Sequence, residues 1–166
     1  MAGVLQIHEY TANATGVDKT SDTVRFKSAD ETTVDATNRL QIPGAGTDYS
    51  YTKNLRGYVS SAPDTDFSNL EAYSDGSSGF GTGVGVQYAV DTDTFVTNTD
   101  ADISGTDIFT KTSAAPIDMN SWDATWTAGE GVGYWGSVLR LQMTVASTAS
   151  PGTLTAETLT FSYDET

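Results

Sequence analysis

Trp135-Gly136-Ser137-Val138-Leu139-Arg140-Leu141-Gln142-Met143-Thr144-Val145 is the stretch whose reading decides the fold. Trp135, Leu139, Leu141, Met143 and Val145 recur at every second position, with Ser137 in register. Arg140, Gln142 and Thr144 take the alternate positions. A period of two is that of a pleated strand, so the sequence predicts one long strand with an apolar face and a wet one. The same alternation recurs outward in both directions. Val84, Val86, Tyr88 and Val90 alternate with Gly85, Gln87 and Ala89, and Leu159, Phe161 and Tyr163 alternate with Thr158, Thr160 and Ser162. Val24 and Phe26 alternate with Arg25 and Lys27, which predicts a strand with both cations on its outer side. Shorter strands are expected at Val4–Tyr10, Arg39–Ile42, Tyr49–Ser60, Asn69–Tyr73, Thr94–Thr97 and Ile108–Lys111.

Pro43-Gly44-Ala45-Gly46, Ala62-Pro63-Asp64, Ser74-Asp75-Gly76-Ser77 and Ser150-Pro151-Gly152 punctuate these runs as turns. No window of about 11 residues or more reads as a helix, beyond a turn near Asn120–Ala124. The expected fold is all-β: an antiparallel β-sandwich, jelly-roll-like, of roughly eight to ten strands. The chain is read as one domain over residues 1–166, with a loop, hairpin or arm at 91–115, where Asp, Thr and Ser predominate.

Composition narrows the function. Asp and Glu number 22 against 8 Lys and Arg, for a net charge of −14. That field repels phosphate backbones, so direct nucleic-acid binding is not expected. The acids are spread along the chain, as suits a soluble surface or one adapted to high salt. No run approaches the roughly 18 apolar residues of a membrane span, so no membrane partner is expected. Met1-Ala2-Gly3-Val4-Leu5-Gln6 lacks the basic and apolar regions of a signal peptide, so the chain is expected to be made in a cytoplasm and to begin as a complete product. There is no cysteine, hence neither disulfide nor thiolate chemistry.

Candidate chemistries are thin. His8 is the single histidine, in an expected terminal strand, and no Gly-x-Ser-x-Gly elbow accompanies it. Gly79-Phe80-Gly81-Thr82-Gly83-Val84-Gly85 runs into a strand, not into the helix that a phosphate loop requires. The pairs Asp64/Asp66, Asp91/Asp93 and Asp100/Asp102 leave room for a structural calcium ion around Asp91–Asp107. The nearest EF-like run nevertheless has Ile103 at the turn position and Phe109 where the bidentate acid belongs. No cofactor is expected and no catalytic set is assigned. Trp122, Trp126, Tyr134 and Trp135 cluster in sequence. Trp135 belongs to the strand's apolar face. Trp122, Trp126 and Tyr134 are the candidate interface residues, and the two tryptophans are read as buried loop anchors, a subunit seam or a sugar platform.

Several ordered segments carry a resemblance. They are Val24-Arg25-Phe26-Lys27-Ser28-Ala29-Asp30, Gln41-Ile42-Pro43, Tyr49-Ser50-Tyr51, Asn69 to Gly76, Gly79 to Val84 and Leu159 to Glu165. With them the chain resembles small virion structural proteins of tailed double-stranded DNA viruses of bacteria and archaea. The resemblance covers most of the chain and rests on structural, not catalytic, motifs. It implies a capsid decoration (cement) protein, a homo-oligomer and typically a trimer, bound to the major capsid protein lattice on the virion surface. A receptor- or carbohydrate-binding module of a tail or spike is the alternative expectation.

Overall fold

The computed structural model describes residues 2–11, 16–92 and 95–166. The long strand forms as expected, as β10 (Gly133–Ala146), and becomes the centre of the molecule. Before it come β1 (Val4–Tyr10), β2 (Val17–Asp18), β3 (Thr47–Tyr49), β4 (Lys53–Ser61), β5 (Asp66–Tyr73), β6 (Val84–Asp91), β7 (Thr106–Asp107), β8 (Ile117–Asp118) and β9 (Thr125–Thr127). β11 (Thr160–Glu165) follows it. Seven strands form one antiparallel sheet in the order β2-β1-β4-β10-β6-β7, with β3 also on β10. The other four form a smaller sheet in which β5 pairs with β11, β8 and β9. The fold is therefore an all-β sandwich. It has eleven strands among the described residues because five of them are only two or three residues long. Sheets of seven and four are more lopsided than the two four-stranded sheets of a jelly roll.

The pairing register decides which side chains become core. Leu5 stands opposite Val59, Trp135 opposite Gly57 and Leu139 opposite Leu55. The smaller sheet lays Phe67, Leu70, Ala72, Ile117, Met119 and Trp126 over this region, and all are buried. The Phe67 and Trp135 rings stack with centroids 5.9 Å apart. Between Trp135 and Leu139 the register breaks in a bulge. Gly136 sits there at φ +74°, where a β-carbon would lie 2.6 Å from Leu70 Cδ2 and 3.0 Å from the Met119 carbonyl oxygen. Ser137 N donates to that same Met119 oxygen at 2.7 Å, tying the two sheets together.

Several expectations meet a different outcome. The second face of β10 is not wet: Gln142 is fully buried, its amide donating to the Ser50 and Ala101 carbonyls at 2.9 Å each. Residues 95–104 lie along the outer face of the large sheet, held by Asn98, whose amide donates to the Tyr10 carbonyl at 3.1 Å, and by Thr52 N donating to the Thr99 carbonyl at 2.9 Å. Of the alternatives for 91–115, residues 95–104 take the loop, and β7 and a 3₁₀ turn follow it. Residues 23–27 and 39–42 form no strand, although Val24, Phe26 and Leu40 still pack against the core. Of the expected Thr94–Thr97 strand, Thr94 lies outside the described residues and 95–97 form none. Ile108–Thr110 is a 3₁₀ turn capped by the Asp107 side chain.

Candidate functional site

The smaller sheet packs over one part of the large sheet's apolar face. Beyond Leu139, the face continues with Leu141, Met143 and Val145 on β10, Val84 and Val86 on β6, Leu55 on β4 and Ile7 on β1. Among the described residues β11 reaches this part of the face through Phe161, and all of these residues except half-buried Val84 are buried. They floor a cleft of about 1130 Å³, walled by three segments without regular structure, within 19–27, 39–42 and 149–159. The floor crosses four neighbouring strands, about 14 Å at the usual strand spacing.

The charges around the cleft are arranged unevenly. Lys19 and Lys27 line it and are buried. Lys19 pairs with Asp22 at 3.1 Å, and Lys27 Nζ lies 2.7 Å from both Glu31 and Asp35. The ammonium of Lys27 and the Thr37 hydroxyl and amide, all donating to Asp35, hold that carboxyl well below the usual range. Beside this knot Lys53 and Glu9, each 1% exposed at the side chain, pair at 3.0 Å, and Lys53 also donates to the Glu31 carbonyl. Burial pushes the Glu9 carboxyl up, and the neighbouring Lys53 opposes that. Arg25 and Arg39 also line the cleft, but they are exposed and pair with no described carboxylate.

An aromatic cluster occupies the opposite face of the large sheet. His8 stacks on Tyr58 at 4.5 Å, Tyr58 meets Tyr134 at 4.9 Å and Tyr10 meets Tyr134 at 5.2 Å. Phe95 closes on Tyr10 at 4.1 Å, with the Arg56 guanidinium 5.8 Å from the Phe95 ring centre. His8 Nε2 hydrogen-bonds Gln6 Oε1 at 3.1 Å, while Nδ1 and the Tyr10 hydroxyl are buried without a partner among the described residues. Burial holds the His8 imidazole below its usual value of 6.5, and nearby Asp18 opposes the shift.

The three candidate interface residues do not come together. Trp122 is 54% exposed on a bend. Trp126 is 9% exposed, its indole facing Gly133 and its Nε1 donating to the Gly131 carbonyl at 3.2 Å. Tyr134 points the other way, into the aromatic cluster, because neighbours on a strand alternate faces. Among the described residues no group of three or more His, Asp or Glu could hold a metal ion, and Asp93 lies outside them. Asp91 pairs with Arg140 at 3.1 Å, and Asp102 accepts from Gln87 and Ser104.

The cleft and the aromatic cluster are the features that sequence reasoning missed. Val24/Arg25 alternation hinted at the cleft rim, but the floor needs the register of four strands, which no local pattern carries. Compared with known proteins, the chain matches no family model, no curated protein and no solved structure.

Proposed function

We propose that this chain is a non-catalytic structural protein of a tailed-virus particle, decorating the outer capsid surface and stabilising it through protein–protein contacts. The large cleft beside the smaller sheet is the observation that carries this reading. A sheet normally buries its apolar face against a second layer. Here Leu141, Met143, Val145 and Val86, each nearly buried, floor a cleft of about 1130 Å³ whose walls are mostly chain without regular structure. A surface of that kind gains most when a partner completes it, since burial is worth about 25 cal/mol per Å² of apolar area. Many identical, individually weak contacts of this sort add up over a lattice. The proposed place of action is the virion surface, and the proposed partners are further copies of the chain, as a trimer, and the major capsid protein. Purified protein added to capsids stripped of it should co-sediment with them and raise the temperature at which they rupture. Failure to re-bind would refute the reading.

One observation favours the alternative of a receptor- or carbohydrate-binding module: the exposed indole of Trp122. Buried Trp126 cannot share a platform with it without leaving the core. Glycan-induced change in tryptophan fluorescence, lost in Trp122→Ala, would promote that alternative over decoration.

A further inference from the structure

Arg25 and Arg39 are the two exposed cations of the described residues, and both line the same cleft. In a chain of net charge −14 this places the two fully exposed cations at one mouth, while half-buried Lys111 and Arg140 lie outside it. The carboxylates that line the cleft are already engaged: Asp22 with Lys19 and the Thr23 amide, Glu157 with the Gly79 amide at 2.6 Å. The occupant that this mouth complements is therefore anionic where it meets the arginines and apolar where it meets Met143 and Val145.

The walls indicate that the occupant is a polypeptide. Residues 150–158 all line the cleft, and none of them exchanges a backbone hydrogen bond with another described residue. A row of backbone groups with no described protein partner, beside an apolar floor, is what an extended segment needs for strand addition, in which main-chain bonds give affinity and alternate side chains give specificity. An acyl chain would leave that row unused. The volume also lies above the roughly 300–1000 Å³ typical of small-molecule sites, and the floor accommodates about four extended residues at 3.3 Å each.

We propose that the cleft is a docking groove for an extended segment of a partner subunit, apolar at alternate positions and carboxylate-bearing at the end that reaches Arg25 and Arg39. The identity of the partner as a particle subunit rests on the assembly reading above.

The test uses the full chain and three probes: an acetylated peptide alternating valine and threonine and ending in two aspartates, the same peptide ending in two lysines, and dodecanoate. Calorimetry should show the acidic peptide binding at least tenfold more tightly than the basic one. The Arg25→Gln/Arg39→Gln double variant should lose at least tenfold while remaining folded at the temperature of the titration, as its circular dichroism spectrum checks. Amides within 150–158 should exchange more slowly when the acidic peptide is bound. Equal binding of the two peptides, binding of dodecanoate alone, or no binding at all would each overturn the proposal. Capsid co-sedimentation separates it from the assembly reading. If wild type and double variant re-bind stripped capsids equally and the acidic peptide does not compete, the groove proposal falls and decoration stands. If wild type does not re-bind, decoration falls and takes the proposed partner with it.

Discussion

Lys53 and Glu9 stand on the core face of the large sheet, because Glu9 pairs with Leu55 across the ladder and Lys53 with Leu141. Two opposite charges so deeply buried offset each other's desolvation only while both are present. Lys53→Met should therefore cost about 3–5 kcal/mol, since it strands the Glu9 carboxylate. Adding Glu9→Gln should recover most of that, and a double-mutant cycle by urea unfolding measures the coupling. A cycle in which the two losses simply add would show that the pair is not coupled. His8 gives a second test at this scale. Its folded pKa is depressed by burial, so the folded state binds fewer protons than the unfolded one below pH 6.5. The stability linked to His8 is present above its unfolded value and is lost as pH falls from there towards the depressed folded value. Glu9, with a raised pKa, acts in the opposite sense, because its protonation on acidification relieves a burial penalty. The wild-type pH curve is thus a sum, and the difference from His8→Phe isolates the histidine. The variant should lose less stability than wild type between pH 7.5 and 5, and equal losses would place the imidazole in water.

Among elements, β10 shows how far a sequence pattern reaches. Its existence, length and apolar face were legible from alternation alone, since burial of one side of a pleat imposes the period directly. Its second face was not, because Gln142 and Thr144 read as solvent-facing until a distant segment is known to cover them. Gln142 is satisfied by carbonyls of Ser50 and Ala101, partners that no local pattern announces. The segments 23–27 and 39–42 failed as strands for the complementary reason: their apolar residues reach the core without a ladder partner. Of the candidate site, single residues such as Trp122 were visible, but the cleft was not, being made by register across four strands. The bulge at Gly136 was equally hidden, although the glycine itself stands in plain view within the apolar run. Its φ of +74° and the 2.6 Å approach to Leu70 Cδ2 leave no room for a methyl group. Gly136→Ala should cost at least the roughly 1–3 kcal/mol of a residue held in an unfavoured backbone region, and the Leu70 clash adds to it. Gly152→Ala, where nothing lies within 4 Å of the added carbon, is the control and should leave the melting temperature within about a degree. If the two variants melted together, Gly136 would not be a fixed point between the sheets.

For the whole molecule the net charge of −14 governs stability and association in opposite ways. Half of the eight cations are engaged in the interior: Lys19, Lys27 and Lys53 are buried in ion pairs, and Arg56 donates to the Gly136 carbonyl at 2.8 Å. The surface carboxylates consequently face one another with little compensation. Salt shortens the screening length from about 10 Å at 0.1 M to about 3 Å at 1 M, so the melting temperature should rise across that range. An uncharged osmolyte at matched osmolality should raise it less, which separates screening from general exclusion effects. A melting temperature flat in sodium chloride would remove self-repulsion from the account. Association carries the more discriminating sign. Copies of this chain repel one another, so any homo-oligomer seen by light scattering should tighten as salt is added. Docking on a partner face that is basic enough to attract the acidic surface should weaken over the same range, because there the screened interaction is favourable. Opposite salt slopes for self-association and capsid binding would therefore assign the acidic surface to the lattice contact. A capsid interaction that tightens with salt would assign the contact instead to apolar surface, and the cleft above Leu141, Met143 and Val145, with Leu154, Leu159 and Phe161 on its walls, is the place to look for it.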